Sequence, residues 1–273
     1  MLVAAGLIAG LVAGLLLCIA AGRAIRTLLF ETAPTDVLTY VVVVAVLGGS
    51  GGVGATFVAT HLAAALARRS VDCALVDLDV AFAGLSGPLG APLDGVPTAS
   101  DLVRFGEDLG PEQVREMLWR HPEGFGVLLS PGRVDPDLGP VVYGRAISAL
   151  AQAVSFVVLH VPREVVPLTR TALAAADPVI VVARLDVASF RDARRVLDAT
   201  GVEERARIIV NRAVRAEVTP ADVERVFGSP PLVVIPVDRR VPKEQARGRV
   251  LPRRGRAGRE LDRLARTLLE EVS

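Results

Sequence analysis

A chain of 273 residues can bury a substantial core in one or two domains. Basic residues number 31 and acidic residues 30, a net charge of +1, so the overall balance points to neither nucleic acid nor an acidic substrate, and any basic surface is local. Two cysteines, Cys18 and Cys73, exclude a disulfide framework and a thiolate metal site and fit a reducing compartment.

Hydrophobic residues make up 51% of the chain and the mean hydropathy is +0.46, with the excess concentrated at the N-terminus. Leu2 to Ala21 carries no charge and, at about 20 residues, is long enough to cross a hydrocarbon core of about 30 Å. We expect a transmembrane helix over residues 1–22, a linker over 23–40 and one domain over 41–273. Arg23 and Arg26 follow the leader and no basic residue precedes it, which places the N-terminus outside and the domain in the cytoplasm of a single-pass protein. The missing basic n-region argues against a cleaved signal peptide, and a buried core helix is the alternative. Gly6, Gly10 and Gly14 recur every fourth residue, a face on which two such helices can approach as a homodimer.

Beyond the linker, valine-rich strands alternate with helical patterns. Strands are expected at 41–47, 74–78, 126–129, 156–161, 179–183, 206–211 and 232–235. Helices are expected at 57–69, 111–119, 141–153, 188–199, 220–227 and 259–271. Continuous apolar strands separated by helices imply an α/β, doubly wound, mainly parallel sheet covered on both faces.

The first strand runs into Gly48-Gly49-Ser50-Gly51-Gly52-Val53-Gly54-Ala55-Thr56 and then a helix. Glycines let successive N–H groups curl inward, and the helix dipole adds partial positive charge at the same place, so the stretch reads as a phosphate cradle. Against G-x-x-x-x-G-K-[ST], Gly49, Gly54 and Thr56 fit, but the lysine position is Ala55. Gly49, Gly51, Gly52, Val53, Gly54, Ala55 and Thr56 are the candidate nucleotide-binding residues. Plain chain punctuation is the alternative for any lone glycine pair.

The second strand ends in Leu75-Val76-Asp77-Leu78-Asp79. Two carboxylates at a strand's C-terminal end lie at the rim where open α/β sheets bind ligands. Asp77 and Asp79 are candidates for positioning an attacking water, and Thr56 with Asp77 for a magnesium shell; turn capping is the alternative.

Together these stretches resemble the MinD/ParA group of P-loop ATPases, and within it the CpaE/TadZ branch that includes septum-site-determining (Ssd) proteins. Supporting matches are Gly51 to Thr56, Leu75 to Phe82, Asp177-Pro178 before a strand, Asp186 to Ala193, Val210-Asn211-Arg212 and Ile235-Pro236-Val237-Asp238. The resemblance implies a P-loop fold, an adenine contact from Asn211, ATP or ADP as ligand, and a homodimer. It further implies inner-membrane pilus or secretion partners, including a secretion ATPase. Three positions depart from the family pattern: the signature lysine is Ser50, the loop lysine is Ala55, and the Walker B aspartate is His160. These changes weaken phosphate binding and argue against magnesium, because an imidazole suits a hard, oxygen-seeking cation poorly. A strand-end histidine satisfied by hydrogen bonds is the plain reading of His160.

The tract 239–266 is basic, and its last helix places Leu261, Leu264, Leu268 and Val272 on one face. A packing helix with a solvated arginine face is expected; contact with anionic lipid is the alternative. The functional expectation is a degenerate, membrane-anchored localisation or assembly factor for tad-type pilus or secretion machinery or for septum positioning. A working ATPase with a deviant loop and a DNA-binding partition protein are the rivals; only the basic tract supports the latter.

Overall fold

The computed structural model describes residues 41–92, 94–214 and 218–271; the expected transmembrane leader and linker lie outside them. Among the described residues no helix is long and apolar enough to cross a membrane.

The strands are β1 Val42–Gly48, β2 Cys73–Asp77, β3 Trp119–Arg120, β4 Gly126–Leu128, β5 Phe156–His160, β6 Val179–Ala183, β7 Ala206–Ala213 and β8 Val233–Pro236. They form one sheet in the order β3-β4-β2-β5-β1-β6-β7-β8. All pairings are parallel except that of β3 with β4. β1 lies near the middle, with Val44 opposite Val158 on β5 and Val46 opposite Ile180 on β6.

Both faces are covered, and β1 shows how. Val42, Val44 and Val46 join one apolar core, while Ala45 and Leu47 join the other, following the two-residue alternation of a strand. The first face is closed by α1 (Ala55–Ala67), which is buried nearly all round, and by a C-terminal helix at Arg256–Glu270. On the opposite face lie helices at Pro111–Glu116, Pro140–Ala153, Pro167–Ala175, Val187–Thr200 and Pro220–Phe227. In chain order, with short helices at Ser86–Leu89 and Val241–Gln245 included, the helices after α1 are α2 to α9. Each fully buried Val or Leu contributes about 1.5 to 3 kcal/mol over an exposed one.

The short helices α2 and α8 and the 3-10 turn Glu203–Arg205 were not expected from the sequence, and neither were three further elements. α5 (Pro167–Ala175) fills the connection between β5 and β6, as a crossover between parallel strands requires. A 3-10 stretch, Ala99–Asp108, follows the Gly/Pro-rich sequence 84–98 and begins with a Thr98/Asp101 capping box. The two-residue β3 closes one edge of the sheet.

Candidate functional site

The C-terminal ends of β1, β2, β5, β7 and β8 surround a cleft of about 940 Å³. Its floor is the loop Ser50–Thr56, which turns the buried β1 into α1. Gly52 and Gly54 have φ of 68° and 95°, in the left-handed region that side chains resist, and Gly54 is the residue immediately before α1. A Cβ on Gly54 would overlap the amide nitrogen of Asn211. That nitrogen donates to the Val53 carbonyl at 2.7 Å, so Asn211, buried at the end of β7, fastens the loop.

Gly51, Gly52, Val53, Gly54, Ala55, Thr56, Asp79 and Asn211 all border the cleft. Gly49 has a different position: a Cβ there would lie 2.6 Å from the Cβ of Ala193, so this glycine lets β1 approach α6. Asp77 is also away from the cleft surface, with 0% exposure.

The surroundings of Asp77 account for its burial. Its Oδ1 accepts from the backbone N–H of Asp79 at 3.1 Å and lies 3.2 Å from His160 Nδ1; its Oδ2 accepts from the Leu85 N–H at 3.0 Å. Its carbonyl accepts from the hydroxyls of Ser130 and Tyr143 at 2.8 and 3.2 Å. The Nε2 of His160 lies 3.1 Å from Thr56 Oγ1. A carboxylate only accepts, so Nδ1 carries a proton toward Asp77, and Nε2 meets the Thr56 hydroxyl, which can either donate or accept. Thr56, His160 and Asp77 thus form one hydrogen-bonded chain linking the start of α1 to the ends of β5 and β2. Gly84 covers it: a Cβ there would sit 3.2 Å from His160 Cε1 and 3.3 Å from Asp79 Oδ2. Burial, and then the nearby Asp77, push the Asp79 carboxyl upward.

Of the two residues expected around magnesium, Thr56 borders the cleft, whereas Asp77 is buried with hydrogen bonds on both carboxylate oxygens and does not face it. Among the described residues no group of three or more His, Cys, Asp or Glu is placed to hold a metal.

The sequence reading passed over Arg163, Arg239 and Phe82, all of which border the cleft. Their common signal is position just beyond a strand's C-terminal end, where ligands of such sheets bind.

Residues 44–251 match the model of the CobQ/CobB/MinD/ParA nucleotide binding domain. The chain belongs to that family. An uncharacterised ATP-binding protein of Methanocaldococcus jannaschii is 28% identical over 217 residues, covering 76% of this chain and 78% of that protein. An uncharacterised protein of Mycobacterium tuberculosis is 32% identical over 214 residues, covering 78% of this chain but 59% of that longer protein. A chloroplastic septum site-determining MinD homologue of Arabidopsis thaliana is 25% identical over 223 residues, covering 76% and 67%.

The MinD/ParA fold is seen equally in solved structures. A ParA family ATPase of Chlorobium tepidum superimposes with a TM-score of 0.76 at 19% identity, covering 84% of this chain and 99% of that one. MinD in the MinC:MinD complex of Aquifex aeolicus gives 0.72 at 20%, covering 84% and 96%. The Pyrococcus horikoshii MinD complexed with Mg-ADP gives 0.70 at 21%, also covering 84% and 96%. At these identities the likeness concerns the fold.

Proposed function

We propose that this chain is a nucleotide-binding localisation or assembly factor of MinD/ParA type with little or no hydrolysis. It is held at the cytoplasmic membrane by its apolar leader, and it belongs to the CpaE/TadZ/Ssd-like branch. The observation that carries this reading is a glycine loop fastened by Asn211, with the uncharged Ser50 and Ala55 at its two lysine positions and His160 beside it at the end of β5. Phosphoryl transfer depends on positioned charge, so the cradle can hold a nucleotide such as ATP or ADP while being poorly equipped to cleave it.

Septum site-determining relatives and the MinC-bound solved neighbour support a role in placing other proteins. The partners we propose are a second copy of the chain and inner-membrane components of a tad-type pilus or secretion machine, including its secretion ATPase, or of the septum. A working ATPase is the second reading, favoured by Asp79, whose carboxyl borders the cleft.

Titration with ATP and phosphate-release assays on the full chain separate the two. We expect saturable binding with turnover far below the roughly 1 per second at the lower end of common enzyme rates. Turnover near that value would establish the second reading.

A further inference from the structure

We infer that the arginine face of α9 is a docking surface for the anionic headgroups of a lipid bilayer. The inference goes beyond the nucleotide site and rests on the anchor reading above, which keeps the domain beside such a surface.

The helix keeps its two sides apart. Leu261, Leu264 and Leu268 are buried in the core, while Arg256, Arg259, Arg263 and Arg266 are exposed. Steps of three and four residues hold these arginines within about 80° of the helix circumference and along about 15 Å of its axis. Arg253 and Arg254, also exposed, lead into the helix, and Nη2 of Arg240 donates to the Arg254 carbonyl at 3.1 Å, bringing another guanidinium to the same end.

What marks this face is its lack of matching carboxylates. On α6, Arg191, Arg194 and Arg195 lie 3.0 to 3.7 Å from Asp192 or Asp198, and on α7 Arg225 lies 2.5 Å from Asp222. Among the described residues Arg256, Arg259 and Arg266 take part in no ion pair, and Arg263 has Glu260 at 3.8 Å. Like charges three and four positions apart repel. The first turn, where the helix dipole favours acid, carries Arg256 and Arg259 and no acidic residue. This arrangement opposes the helix until anions meet it, and a guanidinium fork matches phosphate oxygens in pairs.

Two observations favour lipid over nucleic acid. The tract 239–266 has no aromatic side chain on which bases could stack, and a net charge of +1 gives the whole chain little long-range pull on a polyanion. A linker over 23–40 reaches at most about 60 Å, so an anchored domain meets the bilayer at high effective concentration and weak contacts suffice. Because the leucines of α9 belong to the core, the contact is made by charge without insertion, and salt should screen it.

The test reconstitutes the full chain in vesicles of phosphatidylcholine, alone or mixed with phosphatidylglycerol, and maps arginine modification by phenylglyoxal with mass spectrometry. We expect Arg256, Arg259 and Arg266 to react at least about fivefold more slowly in the anionic vesicles, the factor one basic residue gains near such a surface. Arg191 and Arg194 should react alike in both. At about 1 M salt, where the Debye length falls to about 3 Å, the difference should vanish. Equal reactivity in the two lipids would overturn the inference, as would protection that survives the salt. Protection by duplex DNA but not by anionic lipid would overturn it in favour of a nucleic acid. The combined variant Arg256→Gln, Arg259→Gln, Arg263→Gln and Arg266→Gln should keep its thermal midpoint and lose the protection of Arg254; retained protection would overturn the assignment to α9. If that variant does not fold, the wild-type comparison of the two lipids decides alone. Alkaline carbonate reads the anchor separately: release of the chain from the vesicles would overturn the anchor reading and leave the arginine face to the lipid comparison.

Discussion

The glycines of the loop have unequal jobs. Gly54 adopts φ 95° against Asn211, whereas Gly51 faces open space. Left-handed backbone costs an L-residue about 1 to 2 kcal/mol, and losing the Asn211 hydrogen bond to Val53 adds about 1. Gly54→Ala should therefore lower stability by about 2 to 3 kcal/mol and weaken nucleotide binding, while Gly51→Ala stays within about 0.5 kcal/mol. Urea unfolding and ATP titration of the two variants check this contrast. A second buried histidine gives a pH prediction. His61, on α1, lies 2.8 Å from the Phe57 carbonyl through Nδ1 and accepts from the Leu251 N–H through Nε2 at 2.9 Å. Burial lowers its pKa from 6.5 to about 4. In that window the unfolded chain takes up the proton first, so the stability present above pH 6.5 is lost as pH falls, and the loss is complete near pH 4. The shift corresponds to about 3 kcal/mol. Unfolding series from pH 7 to 4 should show the wild type losing about that much more than His61→Gln; parallel profiles would refute it.

At the scale of elements, the C-terminal helix shows how a basic tract is shared between core and solvent. In α9, Leu261, Leu264, Ala265 and Leu268 are buried in the core that contains α1, while Arg259, Arg263 and Arg266 are exposed. Asp262, at 8% exposure, pairs with Arg69 at 2.8 Å and Arg253 at 3.0 Å. The packing-helix expectation thus holds for the described part of the helix; Val272 lies outside the described residues. Leu264→Ala should cost about 2 to 5 kcal/mol through lost burial and a cavity. By contrast Arg263→Ala, which removes only a 3.8 Å surface pair with Glu260, should change stability by less than about 1 kcal/mol. Equal effects of the two on the urea midpoint would mean that the helix is not part of the cooperative core.

For the whole molecule, the sheet order puts β1, β2, β5, β7 and β8 ends at one rim and makes the cleft a property of the fold. The proposed anchor adds a testable orientation. Because Arg23 and Arg26 follow an uncharged leader, a reporter fused after Ser273 should be active in the cytoplasm. Periplasmic activity would contradict both the anchor's orientation and a nucleotide site supplied from the cytoplasm.

The valine-rich runs, the glycine loop and the helix caps act over a few residues, so local chemistry by itself determined a parallel α/β sheet with a phosphate loop after its first strand. Asp186 capping Ser189 at α6 shows the same reach, at 2.7 Å. α5 was hidden because Glu164-Val165-Val166-Pro167 reads as a loop until the crossover from β5 to β6 demands a helix. The linkage of Thr56 to His160 spans 104 positions, that of His160 to Asp77 spans 83, and that of Asn211 to Val53 spans 158. No local pattern encodes such distances. Only the tertiary packing decided that Asp77 is buried rather than facing ligand, that Gly49 serves α6 packing, and that Arg163 and Arg239 reach the cleft. Side-chain burial and partner choice depend on which strand ends become neighbours, and the sheet order sets this.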